Sequence, residues 1–338
     1  MNRATYRAAQ VSKPGQLDIV NKEVLDPAAG QVRLRVEACG ICHTDAVTVE
    51  GGVVDIDYPR VPGHEIVGCI EALGENAGPW KIGQRVGVGF LAGHCNSCAE
   101  CRRGNFTSCS NQQWTGIHHD GGYAERMIAN ANALVSIPDS LQSVEAAPLL
   151  CAGLTVFKAL KKSAAQAENT VAIHGIGGLG HLAVQFARKM GFRTIAIARG
   201  QEKEEAAKLL GAHHYIDSEA GDAAAALQAL GGAKVLISTV TNPKAVSPLI
   251  AGLAPHGRLV MVGVSGEAIE VSPFALIQND VSIIGSLTGS TIESEDALSF
   301  SALQDIRAKI ETVPLEDASA AYARMMRNEA KFRIVLTM

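Results

Sequence analysis

Val171-Ala172-Ile173-His174-Gly175-Ile176-Gly177-Gly178-Leu179-Gly180 sets an apolar, β-branched run directly ahead of a Gly-x-Gly-x-x-Gly pattern. The run fits a buried strand, and the apolar spacing that follows fits an amphipathic helix. Between them Gly175 permits a tight turn, and Gly177 lets backbone approach a pyrophosphate. Gly178 and Leu179 fall within the pattern that Gly180 completes, and the helix read from Gly178 offers free N–H groups and a positive dipole at its N-terminus to phosphates. A glycine pattern alone would be a packing turn; with strand and helix in place it reads as a dinucleotide site.

The segments that follow repeat this unit. Apolar runs at Thr194 to Ala198, Val235 to Ser238 and Leu259 to Gly263 alternate with helical stretches from Gly178 and around Lys203 to Leu210. The alanine run Ala223 to Ala226 reads as another crossover helix. Such a βαβ series predicts an α/β fold with a parallel, doubly wound Rossmann sheet. Ahead of it, to about Leu150, glycine-rich sequence with alternating runs such as Val32-Arg33-Leu34-Arg35-Val36 reads as mainly β. Beyond Leu287 helical stretches are expected near Ser294 to Leu303 and Glu316 to Met326, then a strand from Phe332 to Leu336.

The chain has 338 residues, 47% of them hydrophobic and 19% charged, which suits two globular domains with proper cores. A net charge of -4 gives no electrostatic footprint for nucleic acid, so a small-molecule partner is expected. Thr170 to Ala187 carries no charged residue, but its histidines and glycines suit a strand and turn better than a membrane span. The start of the chain lacks an apolar secretory core, so a cytoplasmic location with eight reduced cysteines is expected.

Cys95-x2-Cys98-x2-Cys101-x7-Cys109 gathers four thiols within fifteen residues, enough to close a tetrahedral shell around zinc. Four protein ligands leave no position for water or substrate, so this zinc is structural. A second, open site could be built from Cys42, His64 and Cys151. Dinucleotide choice turns on the next strand end, Ile195-Ala196-Ile197-Ala198-Arg199-Gly200. The carboxylate that usually accepts the adenosine ribose hydroxyls is missing there, and Arg199 stands ready to pair with a 2′-phosphate. NADP(H) is therefore preferred, with NAD(H) as the alternative.

Three motifs carry a family resemblance: Cys39-Gly40-Ile41-Cys42-His43-Thr44-Asp45, Gly63-His64-Glu65-x2-Gly68-x5-Gly74 and Ala147-Pro148-Leu149-Leu150-Cys151-Ala152-Gly153-Leu154-Thr155. With them the chain resembles, over nearly its whole length, the zinc-dependent alcohol dehydrogenases of the medium-chain dehydrogenase/reductase superfamily, closest to the cinnamyl-alcohol-dehydrogenase-like branch. The resemblance implies a GroES-like mainly-β catalytic domain (1–147 and 288–338, zinc lobe about 93–112) interrupted by a Rossmann domain (148–287). It implies two zincs per chain, with Cys42, His64 and Cys151 on the catalytic one. It implies hydride transfer between NADP(H) and a primary alcohol or aldehyde, or, as the alternative, a polyol or secondary-alcohol dehydrogenase. Association as a homodimer or homotetramer is a family expectation.

Roles follow by position in the family. Asp45 matches a carboxylate that orients His64, and Glu65 a residue behind the zinc. Thr44 matches the hydroxyl that hydrogen-bonds the substrate oxygen and passes its proton toward the cofactor ribose. His43 matches a residue facing the pyrophosphate, and Thr155 one that contacts nicotinamide. Phe90 and Trp114 match aromatic walls of the substrate pocket. Cys39 and Cys42 would pair as ligands by spacing, but the family position of Cys39 is not a ligand, so Cys39 and Cys69 read as buried thiols. His118 and His119 read as loop residues. Val47 stands where several relatives carry a relay histidine, so the proton route either ends at Thr44, the ribose and water or recruits another histidine.

Overall fold

The computed structural model describes residues 4–338. The chain divides into two units. One holds the residues up to Leu154 together with Thr288–Ala302 and Arg307–Met338, and the other holds Thr155–Leu287 with Leu303–Ile306.

The second unit is built around a six-stranded parallel sheet in the order His214–Asp217, Arg193–Ala198, Thr170–His174, Ala233–Ser238, Leu253–Met261 and Ser282–Gly285. This is the doubly wound order in which the chain starts at the centre, moves to one edge, then returns to fill the other. Its inner strands are apolar on both faces because helices cover both: Val171, Ala172 and Ile173, then Ile195, Ala196 and Ile197, are fully buried. The alanine run forms the helix Ala223–Ala229, and Asp222 caps it by accepting the N–H groups of Ala224 and Ala225. The helix after the glycine turn starts at Gly180, two residues later than the glycine pattern suggests. Its first amide bonds run from His181 to Gly177 and from Ala183 to Leu179, which keeps Gly177 to Leu179 in the turn. The expected helix near Lys203 begins as a 3-10 turn, Gln201–Lys203, before Glu204–Leu209.

The first unit is mainly β. A seven-stranded sheet runs Ile310–Pro314, Arg333–Thr337, Gln31–Gly40, Ile66–Leu73, Arg85–Val88 and Leu134–Ser136, with Arg126–Asn130 also paired to Gln31–Gly40. Arg333–Thr337 comes from the far end of the sequence and lies antiparallel to Gln31–Gly40, so the chain returns to complete the sheet it began. Its alternating residues bury Val32, Leu34 and Val36 against Ile66, Ile70, Tyr123 and Ile334. Among the described residues, no single helix is long and apolar enough to cross a membrane.

Candidate functional site

The four clustered cysteines converge. Cys98 precedes the helix Ala99–Arg102, and its Sγ accepts the N–H of Cys101 at 3.4 Å. Cys95 Sγ accepts the N–H of Cys98 at 3.4 Å, and Cys109 Sγ accepts that of Cys95 at 3.5 Å. Sulfur separations are 3.9 Å for Cys95 to Cys101 and 3.6 Å for Cys95 to Cys109. A tetrahedral shell with Zn–S of about 2.3 Å has ligand-to-ligand edges of about 3.8 Å, so the donor set fits zinc. Donors aimed at the sulfurs favour thiolates: hydrogen bonds from Ser97 hold Cys95 down at about 5, and those from Ser110 hold Cys98 at about 7. Burial, with hydrogen bonds to Cys98 and Cys109, pushes Cys101 up to about 12. All eight cysteines are free of disulfides.

Cys42, His64, Glu65 and Cys151 form the second cluster, their donor atoms within 4.8 Å of one another. Cys42 follows the strand Gln31–Gly40 and opens the 3-10 turn His43–Asp45. Asp45 closes that turn by accepting the Cys42 N–H on Oδ2 at 2.8 Å. His64 follows Gly63, whose φ of +100° and contact with the Tyr123 ring exclude a side chain. Cys151 sits at the break between the 3-10 turn Ala147–Leu150 and the helix Ala152–Lys162. Its Sγ lies 4.0 Å from that of Cys42, again close to a tetrahedral edge.

The electrostatics of this cluster favour a cation. Asp45 Oδ1 lies 2.8 Å from His64 Nδ1, while His64 Nε2 is buried with no partner. A buried ring nitrogen left unpaired beside two thiols is costly unless a metal takes it. The hydrogen bond from Cys151 holds the Cys42 thiol well below its usual range, and Cys151 keeps the shared proton and is pushed up. Burial opposes a charge on His64, but the Asp45 carboxylate and the Cys42 thiolate outweigh it and raise His64 well above the usual imidazole range. Glu65 is pushed up to about 8 by burial, against the pull of Arg333. The Arg333 guanidinium donates to Glu65 Oε1 and leaves Oε2 without a partner. Two sulfurs and one imidazole nitrogen would fill three positions of a tetrahedral shell, against the four sulfurs of the Cys95 to Cys109 lobe.

Around it, Phe90 meets the His64 ring edge-on at 5.3 Å and stacks on Trp114 at 5.6 Å. Thr44 is half-buried and His43 exposed, both in the turn that Cys42 opens. Val47 lies in the next helical turn, Ala46–Val49. Cys39 is buried, and the half-buried Cys69 donates to Glu37 at 3.3 Å. His118 Nδ1 accepts the N–H of Trp114 at 3.0 Å, and His119 pairs with Gln113; neither joins a metal cluster. A separate cavity of about 500 Å³ is lined by Tyr6, Arg60, Thr115 and His119, and none of Cys42, His64 or Cys151 borders it. Its Asp120 pairs with Arg60 and Lys22, each at 3.1 Å.

In the second unit the glycine turn suits a pyrophosphate. Gly175 has φ of +91°, and a Cβ on Gly180 would stand 1.7 Å from the Gly175 carbonyl oxygen. A Cβ on Gly177 would meet nothing within 4 Å, so the backbone there faces open space. Thr155 is buried in the helix Ala152–Lys162. Arg199 is exposed at the end of Arg193–Ala198. A neighbouring carboxylate, Asp217, is already engaged: its Oδ1 accepts the N–H groups of Gly200 and Glu219, each at 2.9 Å. Asp217, Tyr123 and Arg333 escape sequence reasoning. The one local signal was an arginine inside the apolar run Phe332 to Leu336.

Residues 28–139 match the alcohol dehydrogenase GroES-like domain, and residues 178–302 match the zinc-binding dehydrogenase family. The chain is 41% identical to the alcohol dehydrogenase patD of Penicillium expansum, over 99% of this chain and 98% of that one. It superposes on a cinnamyl alcohol dehydrogenase of Sorghum bicolor with a TM-score of 0.90 at 30% identity, covering 99% of this chain and 98% of the other. CAD from Helicobacter pylori, solved in complex with NADP(H), superposes with a TM-score of 0.88 at 28% identity, covering 100% and 99%.

Proposed function

This chain belongs to the zinc-type alcohol dehydrogenases of the medium-chain superfamily, and from that membership we propose that it interconverts primary alcohols and aldehydes with NADP(H). The observation that carries the reading is the convergence of Cys42, His64 and Cys151 with the orphaned, buried Nε2 of His64 aimed into the cluster. These three residues would hold a catalytic zinc, and Cys95, Cys98, Cys101 and Cys109 a bracing one. When bound, the zinc supplies a Lewis acid for the substrate oxygen and the dinucleotide supplies or accepts hydride.

The chain's own residues do the rest. Asp45 holds His64 by its Nδ1, which leaves Nε2 as the metal-facing nitrogen. Arg333 holds Glu65 by Oε1, and the unpartnered Oε2 stays within reach of the cluster, behind the three ligands. The Thr44 hydroxyl would carry the substrate proton, as its family position implies, and because Val47 cannot extend the route, water or another histidine would complete it. Phe90 and Trp114 offer stacked apolar faces, which favour a flat, aromatic substrate. The Sorghum relative, a cinnamyl alcohol dehydrogenase, supports that substrate class. Gly175, Gly177, Gly178, Leu179 and Gly180 would receive the pyrophosphate, with His43 and Thr155 as further cofactor contacts. Arg199 would pair with the 2′-phosphate, and the NADP(H) complex of the Helicobacter neighbour supports that choice.

The test is benzaldehyde reduction by the zinc-loaded protein, comparing kcat/KM with NADPH and NADH. A preference for NADPH is expected. A preference for NADH would reduce Arg199 to a surface turn residue, and turnover confined to polyols or secondary alcohols would replace the substrate class.

A further inference from the structure

We propose that Tyr123 is a positioning residue of the open metal site: its phenol fixes the Asp45 carboxylate and thereby sets how His64 meets a metal. The inference rests on the reading of Cys42, His64 and Cys151 as a metal site. Tyr123 is fully buried, and its O–H donates to Asp45 Oδ2 at 2.8 Å. Asp45, only 3% exposed, thus accepts from three donors: the backbone N–H of Cys42 and the Tyr123 phenol on Oδ2, and the ring of His64 on Oδ1. Two of those donors belong to ligand residues. The third arrives from 78 residues away and holds the carboxylate oxygen that His64 does not use.

The ring of Tyr123 is also built into the site. Gly63 precedes His64, and a Cβ on it would stand 2.4 Å from the Tyr123 ring. A buried phenol needs some partner, so the bond alone would only satisfy a core tyrosine. What distinguishes this one is that ring and O–H fall on opposite supports of the same ligand: the ring on the backbone leading into His64, the O–H on the carboxylate that orients its imidazole. Without the phenol the carboxylate keeps one fewer restraint on its angle, and the imidazole it orients is held less firmly toward a metal. Such outer partners typically change metal affinity by about 10- to 100-fold.

Tyr123→Phe keeps the ring and removes only the O–H. Release of zinc to a chelator, followed as two phases, lets the four-cysteine site serve as an internal control. The expected result is release from the Cys42/His64/Cys151 site about tenfold faster, with the four-cysteine phase unchanged. In the cobalt(II)-substituted protein the visible d–d bands should shift in Tyr123→Phe. In an Asp45→Asn background the same substitution should have no further effect on release, because the phenol acts through that carboxylate. An unchanged release rate and cobalt spectrum would overturn the proposal, as would equal acceleration at both sites with a lowered Tm, the mark of a purely structural tyrosine. If the phenylalanine variant does not fold, 3-fluorotyrosine at 123, a stronger donor of nearly the same shape, should shift the cobalt bands the opposite way, and no shift would overturn the role. A wild-type chain that binds one zinc instead of two would overturn the metal-site reading itself and the Tyr123 role with it.

Discussion

The guanidinium of Arg333 pairs with the carboxylate of Glu65 in the interior of the first unit, the two side chains 5% and 0% exposed. They stand 268 residues apart in the chain, and the strand Arg333–Thr337 brings them together by pairing with Gln31–Gly40. Removing one member of a buried pair leaves the other charged and unpaired, which typically costs about 3–5 kcal/mol. Glu65→Leu should therefore lose stability on that scale in urea denaturation, because Arg333 stays charged without a partner, and Arg333→Leu added to it should recover part of the loss. A single variant within about 1 kcal/mol of wild type would show that the pair is not needed for the fold.

The two metal sites should fail differently. Cys151→Ala removes a donor from the open cluster but spares the four-cysteine lobe, so zinc content should fall from two per chain to one, with turnover lost and the fold kept. Cys98→Ser breaks the closed shell, and its effect should appear as a lowered Tm, because a structural zinc contributes folding free energy. Metal analysis and calorimetry on both variants check this, and full activity in Cys151→Ala would refute the ligand assignment.

Cofactor choice should follow one exposed side chain. A hydrogen bond to a charged group is worth about 1.5–3 kcal/mol, so Arg199→Asp should lower kcat/KM with NADPH about 10- to 100-fold. The same change places a carboxylate where ribose hydroxyls would lie and should raise kcat/KM with NADH. An unaltered ratio would mean that Arg199 does not touch the 2′-phosphate.

Acid should destabilise the second unit through His174. This side chain is 5% exposed, with Nδ1 3.2 Å from Ser238 Oγ, and burial holds it down at about 4 against an ordinary 6.5. Between those values the unfolded chain binds a proton that the folded one refuses, so stability is complete above about 6.5 and declines as pH falls toward 4. The gap bounds the loss at about 3 kcal/mol. His174→Asn keeps a polar group for Ser238 but does not titrate, and its stability should fall less steeply than wild type across this window. Parallel curves for the two proteins would refute the assignment.

What the amino-acid order determined by itself was whatever depends on near neighbours. A buried strand, a glycine turn and a helix occupy adjacent residues, so Val171 to Gly180 specified the Rossmann unit before any packing was considered. Cys95 to Cys109 close on one another through a single short lobe, and their spacing alone was enough to name a metal. Cys42, His64 and Cys151 are far apart, and their motifs pointed to one site only through resemblance to a family. Tertiary structure decided how that site is supported. Nothing near Asp45 points to Tyr123, nothing near Glu65 points to Arg333, and nothing near Arg199 shows that Asp217 spends its Oδ1 on backbone. Each of these contacts joins different strands or turns, and a charge or hydroxyl gains a partner there only after the sheets exclude water and leave it no other.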